Sequence, residues 1–169
     1  TKLNNEIAEF VDANWKYSLP NVQKSYVKIF EYLGLSSKKA IGDFLKPSLR
    51  LFNHPFLMKD MELAVDILID YLDNGKRILF YGDYDADGAT TTALFITVLK
   101  KKGYDNIHWF VPHRHEDGYG LSLNKLLVMQ KDYDLLVTGD TGIKEMETIS
   151  KLTIPVIVTD HHEPVVSKN

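Results

Sequence analysis

The sequence RILFYGDYDADG, which occupies residues 77–88, decides the fold of this chain. Its first five residues form a short apolar run of the kind found in buried strands. An acidic turn, bounded by Gly82 and Gly88, follows directly. Similar apolar runs recur further along the chain, and each again leads into a polar cluster; they cover residues 107–111, 135–138 and 155–159.

Helical patterns separate these strands. They cover residues 90–102, closed by Gly103, residues 122–130, with Ser122 as the cap, and residues 144–152. Strands that alternate with helices and carry no polar face are typical of a parallel sheet with helices on both faces. The sequence therefore predicts an α/β fold for residues 76–169.

The N-terminal part follows a helical pattern over residues 1–73. One set of apolar residues recurs at helical spacing before Gly34: Val22, Tyr26, Ile29, Phe30 and Leu33. A second helix is predicted from Asp60 to Leu72, ending at Gly75, and Pro47 and Pro55 bracket an irregular stretch. We expect residues 1–75 to form a helical N-terminal extension that packs on the core.

Composition narrows the class of protein. The 169 residues suit one domain of ordinary size, and the hydrophobic and charged fractions of 44% and 25% are typical of soluble globular proteins. The absence of cysteine excludes disulfides, zinc thiolate sites and cysteine nucleophiles, and favours the cytoplasm. No apolar run has the length of a membrane span, and the N-terminus lacks the layout of a signal peptide.

The net charge of −3 argues at first against a nucleic-acid partner. Five of the acids, however, fall in the polar clusters after the strands: Asp83, Asp85, Asp87, Asp140 and Asp160. Without those five, 18 acids face 20 lysines and arginines. Charge therefore neither supports nor excludes binding to a polyanion.

The chemistry is expected where the strands end. The second strand leads into residues 112–120, the third into residues 139–142 and the fourth into residues 160–164. Because the carboxyl ends of parallel strands share one edge of the sheet, these clusters should meet in one crevice. Read as extended chain, Asp83, Asp85 and Asp87 should face the same side.

Carboxylates packed this closely repel one another unless a cation neutralises them or one takes up a proton. Asp140, His161 and His162 arrive from other strands, which makes a metal the expected neutraliser. Carboxylate oxygens with imidazole suit Mn²⁺ or Mg²⁺. The number of ligands exceeds the needs of one ion, so we expect two.

Simpler interpretations exist for each cluster alone. An acidic turn ending in glycine is often a solvated loop or a helix cap, and residues 139–142 fit a plain turn. A calcium loop from Asp83 would need Glu at its twelfth position, which is Leu94. For His113, Arg114 and His115, a surface loop and a phosphate contact remain open. Joint occurrence after separate strands favours the metal site.

The clusters resemble the first three motifs of the DHH phosphoesterase superfamily: residues 82–88, the turn at Asp140, and Asp160-His161-His162. Further segments resemble the RecJ family of exonucleases within it: residues 44–47, 54–61, 112–114 and 118–121. The resemblance spans roughly residues 40–165.

The resemblance implies a role for each residue. Asp85, Asp87, Asp140 and His161 would be metal ligands, with Asp140 bridging two ions, and Asp83 would be a ligand or would support one. Asp160 would orient His161. His162 would contact the scissile phosphate, and Arg114 would hold a phosphate of the strand.

The resemblance also implies an activity, which is degradation of single-stranded DNA from the 5′ end, with Mn²⁺ or Mg²⁺, in recombination and repair. A fourth metal-binding Asp and a second domain are expected beyond Asn169, so we expect this chain to be a fragment with weak or no activity alone. Gly139 stands where the family usually has a larger apolar residue.

Two alternatives accompany this interpretation. One is a phosphodiesterase of the same superfamily that cleaves cyclic dinucleotides, very short RNAs or pyrophosphate. The other is a non-catalytic relative that binds nucleic acid. Segments 44–61 and 112–121 argue against the first alternative. Retention of every acid and both histidines argues against the second.

Overall fold

A computed structural model describes residues 23–164, and these divide into two compact units between Leu57 and Met58. The helix prediction for residues 1–22 lies outside the described residues. Within residues 23–164, no helix combines the length and the apolarity that crossing a bilayer requires.

The described part of the first unit is helical. Helix α1 spans Gln23–Tyr32 and ends before Gly34, whose φ of +71° suits a helix terminus. Helix α2 spans Lys38–Leu45 and begins at Ser37, whose side chain accepts a hydrogen bond from the Ala40 N–H. Two 3₁₀ turns follow, Leu49–Leu51 and Pro55–Leu57. Phe30 and Ile41 form the small core of this unit.

The second unit contains a four-stranded parallel sheet in the order β2-β1-β3-β4. The strands are β1 (Ile78–Gly82), β2 (Ile107–Phe110), β3 (Leu135–Gly139) and β4 (Val156–Thr159). Every residue of the two central strands, β1 and β3, is buried. All four strands lie within a residue of their predicted bounds, because short apolar runs followed by polar clusters mark buried parallel strands.

Helices cover both faces of the sheet. On one face, Phe80 and Val137 pack with Leu72 of α3 (Met61–Asp73) and Ile96 of α4 (Ala86–Lys101). On the other face, Leu79, Tyr81 and Leu136 pack with Leu126 of α6 (Leu123–Met129). Each fully buried side chain of this size contributes about 1.5–3 kcal/mol. The predicted α/β class with a covered parallel sheet is confirmed.

Helix α3 belongs to the unit of the sheet. Leu72 is 7% exposed and forms part of the sheet core, with Ile67, Leu68 and Tyr71 packed against it. The units therefore separate between Leu57 and Met58, one helix earlier than the boundary between residues 75 and 76 drawn from sequence. That residues 1–57 pack on the core stays a prediction.

Three helices near the carboxyl edge differ from expectation. Helix α4 begins four residues earlier than predicted, because Asp85 caps it. Residues 144–152 contain only the short helix α7 (Met146–Ile149), since the chain turns on both sides of it: the Glu145 N–H donates to the Gly142 carbonyl, and the Leu152 N–H donates to the Ile149 carbonyl. A short helix that was not predicted, α5 (Arg114–Asp117), follows β2.

Candidate metal centre

The three acids after β1 come together through a helix terminus. Asp85 is the N-cap of α4, and its Oδ1 accepts from the Gly88 N–H at 3.1 Å; this bond is the first cause that lowers the pKa of Asp85. Asp87 lies in the first turn of the same helix. The expectation of an extended chain from Asp83 to Asp87 is therefore wrong, although the acids do lie close together. The positive end of the helix favours their charge.

Two glycines allow this turn to form. A Cβ at Gly88 would lie 2.5 Å from the Asp83 carbonyl oxygen, and a Cβ at Gly82 would meet the Thr92 hydroxyl oxygen at 1.9 Å. Thr92 is itself fixed, because its hydroxyl donates to the Gly88 carbonyl at 2.8 Å. Side chains at these positions would push the first turn of α4 away from β1.

Asp140 follows β3 and is the buried acid of the site. Its φ is +64°, and its backbone N–H donates to the Thr159 carbonyl at 2.9 Å, which fixes the turn against β4. Its side chain is only 5% exposed, yet neither carboxylate oxygen accepts a hydrogen bond from the described residues. Burial, then the charges of Asp87 and Asp85, raises the pKa of Asp140. A buried carboxylate that accepts no hydrogen bond, and that lies 3.0 Å from the metal-ligating ring nitrogen of His161, points to a cation as their shared partner.

Asp140 is shared by two groups of metal-ligating atoms. One group joins it to Asp83 and Asp85, the other to His161 and His162, and within each group one ligand atom per residue lies within 4.8 Å of the others. His161 Nε2 lies 3.0 Å from Asp140 Oδ1 and 3.6 Å from Asp87 Oδ2. All the sequence-predicted ligands therefore meet at one edge of the sheet, and the donor set suits divalent cations.

Asp160 holds His162 rather than His161. Its Oδ1 lies 2.8 Å from His162 Nδ1 and accepts from the His162 backbone N–H at 3.0 Å, while its Oδ2 accepts from the Ile143 N–H at 3.0 Å. Burial raises the pKa of Asp160, but these hydrogen bonds outweigh burial, so the net pKa lies below the usual range. The hydrogen bond to Asp160 raises the pKa of His162. The expectation that Asp160 orients His161 is corrected accordingly.

Arg114 lies against two tyrosines beside the acidic turn. Its guanidinium donates to the Tyr119 hydroxyl at 2.7 Å and lies 5.6 Å and 5.5 Å from the ring centroids of Tyr84 and Tyr119. Tyr84 follows Asp83 directly, so the guanidinium is placed close to the acidic turn. Contacts of this kind hold an arginine in place while its remaining donors stay available.

The loop that carries Arg114 is anchored through Asp117. The Asp117 carboxylate accepts from the His113 N–H at 2.7 Å and pairs with Lys125 Nζ at 2.5 Å. Lys125, then the His113 N–H, lowers the pKa of Asp117. The rings of His113 and His115 lie 5.8 Å apart, and neither histidine belongs to the two ligand groups.

A cleft of about 200 Å³ opens over the buried acid. Its lining is Asp83, Tyr119, Gly120, Asp140, Thr141, Lys144, Glu145, Asp160 and His162. Thr141, Lys144 and Glu145 were not singled out from sequence. Glu145 is held at the cleft because its carboxylate accepts from the Gly142 N–H at 3.1 Å, a contact that no sequence pattern announces.

Comparison with known proteins finds relatives of this chain. The single-stranded-DNA-specific exonuclease RecJ of Escherichia coli K12 is 45% identical over 111 residues, which cover 63% of this chain and 19% of the relative. The chain thus spans about a fifth of the length of the curated relatives it matches.

Two solved structures share the fold. One is exonuclease RecJ bound to manganese, with a TM-score of 0.59 and 39% identity over 65% of this chain and 29% of that chain. The other is RecJ of Thermus thermophilus in complex with Mn²⁺, with a TM-score of 0.55 and 31% identity over 82% of this chain and 19% of that chain.

A family model matches the part of the chain that forms the site. The N-terminal domain of the DHH family matches residues 77–169, which begin at the first strand and include every acid and histidine of the two ligand groups. This match covers more than half of the 169 residues. The chain belongs to the DHH family.

Proposed function

We propose that this chain is the metal-binding part of an exonuclease that hydrolyses phosphodiester bonds of single-stranded DNA. The observation that carries the proposal is Asp140, whose buried carboxylate accepts no hydrogen bond from the described residues and lies in both ligand groups. A carboxylate that belongs to both groups is suited to holding a pair of cations. The relatives named as single-stranded-DNA-specific exonucleases supply the substrate class.

Two divalent ions, Mn²⁺ or Mg²⁺, are the proposed cofactors. Asp83, Asp85, Asp87, Asp140 and His161 would hold them, with Asp140 between the two, and the solved relative bound to manganese agrees with this choice. When bound, such ions activate water and stabilise charge on phosphate oxygens. Asp85 and Asp87 are also held by the first turn of α4, so their carboxylates need little reorganisation to bind.

His162 is the proposed contact to the scissile phosphate. The lowered pKa of Asp160 keeps its carboxylate ionised, so His162 Nδ1 carries the proton that it shares with Asp160. The opposite ring nitrogen, Nε2, then remains for the substrate. Because the pKa of His162 is raised, the ring is cationic over a wider pH range, which favours charge that develops on the phosphate.

Arg114 is the proposed contact to a second phosphate of the strand. It is restrained by Tyr84 and Tyr119, but its forked donors exceed the one hydrogen bond that it makes to Tyr119. Removal of Arg114 should raise the KM for DNA more than it lowers kcat, because it removes binding that is uniform along the reaction.

For the whole protein we propose degradation of single-stranded DNA from the 5′ end in recombination and repair, in the cytoplasm. The chain spans about a fifth of its curated relatives, so polarity and substrate depend on more than the described site. The support from this chain is the metal cleft with Arg114 beside it.

Manganese affinity tests the metal centre. Asp87→Ala should weaken Mn²⁺ binding at least about 10-fold in calorimetry while the chain keeps its cooperative unfolding, because Asp87 lies on the exposed first turn of α4. Asp66→Ala, on the exposed side of α3, is the matched control and should bind Mn²⁺ as the wild type does. Unchanged affinity in Asp87→Ala would remove Asp87 from the proposed ligand set.

Substrate choice tests the activity. The natural full-length protein, supplied with Mn²⁺, is offered single-stranded DNA, blunt duplex DNA and a cyclic dinucleotide in parallel. We expect nucleotide release from the single strand. Equal digestion of duplex, or preference for the cyclic dinucleotide, would contradict the proposed substrate and leave the metal centre standing.

A further inference from the structure

The cleft over Asp140 contains a cation that neither the ligand groups nor the proposed phosphate contacts use. Of the residues that line the cleft, Lys144 is the one lysine or arginine in the described part of the chain, and four carboxylates share the lining with it: Asp83, Asp140, Glu145 and Asp160. A lysine among so many acids is expected to form an ion pair. No hydrogen bond or ion pair of the Lys144 side chain is formed with the described residues.

The acids near Lys144 either accept hydrogen bonds from other residues or belong to the ligand groups. Asp160 is occupied by Ile143 and His162, and Glu145 Oε2 accepts from the Gly142 N–H. Asp83 and Asp140 belong to the ligand groups. The Lys144 ammonium is therefore left exposed at the rim of the cleft, with its three donors available.

The backbone on both sides of Lys144 is fixed. The Ile143 N–H donates to Asp160 Oδ2 at 3.0 Å, and the Glu145 N–H donates to the Gly142 carbonyl at 3.1 Å. Lys144 thus projects from a restrained turn only four residues after Asp140, so a ligand that binds it has to order the side chain but not the backbone. Its charge also acts on His162, whose pKa it lowers against the effect of Asp160.

We propose that Lys144 is a further substrate-binding residue, whose ammonium contacts a phosphate oxygen of the DNA strand in the cleft beside His162. The inference rests on the proposed function, since it names one more contact for the same substrate. An acidic cleft repels a polyanion, and a cation that is not paired with the acids offsets this repulsion at the point of entry. Tyr119 lines the same cleft and bonds to Arg114, so two cations flank the path of the strand.

Salt-dependent binding tests this role. The wild-type chain and Lys144→Ala are titrated with a 5′-phosphorylated oligo-dT of about twelve nucleotides, in Mn²⁺, over a series of KCl concentrations. Loss of one phosphate contact should weaken binding on the order of 5-fold and reduce the slope of log K against log[salt] by about 0.7. The same weakening is expected for oligo-dA, because a phosphate contact does not read bases.

Three variants separate this role from a structural one. Lys144→Arg should keep the salt slope, since it keeps the charge. Lys76→Ala, an exposed lysine before β1 at the other edge of the sheet, should keep both slope and affinity. Mn²⁺ affinity of Lys144→Ala should be unchanged or higher, because a cation has left the acidic cleft, whereas a structural role for Lys144 would lower it.

The outcomes distinguish the two proposals. Equal slope and affinity in the wild type and Lys144→Ala would overturn the assignment of Lys144 and leave the proposed function intact. A fall in Mn²⁺ affinity in Lys144→Ala would overturn it in favour of a structural role. Failure of the wild type to bind the oligonucleotide in Mn²⁺ would overturn the assignment of Lys144, whereas the proposed function is tested separately by the substrate choice of the full-length protein.

Discussion

The two edges of the sheet use their acids in opposite ways. At the amino edge, Asp73 accepts from the Tyr104 hydroxyl at 2.8 Å and Asp134 accepts from the Arg77 N–H at 2.8 Å. At the carboxyl edge, Asp140 is more deeply buried than either and accepts no hydrogen bond from the described residues. The two amino-edge carboxylates accept hydrogen bonds that stabilise the fold, whereas the Asp140 carboxylate at the carboxyl edge stays available to bind a metal.

Cavity size does not reveal this difference. The amino edge holds a cavity of about 320 Å³, lined by Leu72, Gly103 and Tyr104 among others, which is larger than the cleft of about 200 Å³ over Asp140. Its polar groups are nevertheless joined to one another, since Asn106 Nδ2 also donates to the Gly75 carbonyl at 2.9 Å. Whether the carboxylates accept hydrogen bonds, rather than the volume of the cavity beside them, identifies the functional edge.

The largest expected effect comes from Asp140→Asn. Loss of the shared ligand should weaken Mn²⁺ binding at least about 100-fold in calorimetry. The metal-free variant should at the same time become more stable by on the order of 1 kcal/mol in urea denaturation, because a buried charge close to Asp85 and Asp87 is removed. Asparagine also tolerates the left-handed backbone at this position.

The same change at the amino edge is the matched control. Asp134→Asn keeps an oxygen to accept from the Arg77 N–H, so it should alter neither Mn²⁺ affinity nor stability by more than about 0.5 kcal/mol. If Asp140→Asn destabilised the metal-free chain, the Asp140 carboxylate would stabilise the fold as the amino-edge carboxylates do. The proposed difference between the two edges would then be wrong.

An intermediate effect is expected from Gly139→Ala. The added Cβ would lie 2.3 Å from Phe80 Cζ, and Phe80 cannot retreat easily because its ring stacks on Phe95 with centroids 4.3 Å apart. Overpacking should cost about 1–3 kcal/mol. The Phe80 ring therefore leaves no room for a side chain at Gly139.

A double-mutant cycle checks this explanation. Phe80→Leu removes the atom that the added methyl group would meet, so the free energy of unfolding lost in the double variant should be smaller than the sum of the two single losses. If the two single losses simply add in urea denaturation, the Phe80 ring does not limit the size of the residue at position 139. The cycle sharpens the comparison because it measures how firmly the core supports the turn at Asp140.

The smallest effect concerns Asp117, a carboxyl-edge acid that does have partners. Its pKa is lowered on folding, by Lys125 first, so its contribution to stability is present above the ordinary carboxyl pKa and is lost as pH falls through the folded pKa. Lys125→Met should therefore lower the urea midpoint at neutral pH, and the difference from wild type should shrink below about pH 4. A difference that stays constant with pH would contradict the role of this pair.

The sequence was sufficient for the elements that apolar patterns define. The strands were predicted because β1 and β3 are buried throughout, and α3 was predicted because Asp60 and Gly75 bracket its apolar face. The start of α4 was missed because Asp85, Asp87 and Gly88 disfavour a helix interior, although Asp85 is well suited to an N-cap. Short helices such as α5 depend on tertiary contacts that no local pattern carries.

The site was predictable in its ligands but not in their pairing. Acids and histidines after parallel strands had to meet at one edge, and six of them do: Asp83, Asp85, Asp87, Asp140, His161 and His162. The partner of Asp160 was predicted wrongly because two adjacent histidines offer the same chemistry, and their rings lie only 4.8 Å apart. A local rule offered the answer, since an aspartate side chain commonly bonds to the backbone two residues on, which here is His162. Lys144 carried no signal, because only the structure brings it into the cleft.

The left-handed turn at Asp140 has a consequence for inheritance. With φ at +64°, the position accepts glycine, asparagine and aspartate far more readily than other residues. Aspartate and asparagine codons differ by a single base, so one point mutation removes the charge and keeps the turn. A lineage could thus abandon metal chemistry in one step and retain its architecture. We expect descendants that have lost the ions to carry asparagine or glycine here, and a bulky residue at this position in a folded relative would contradict that expectation.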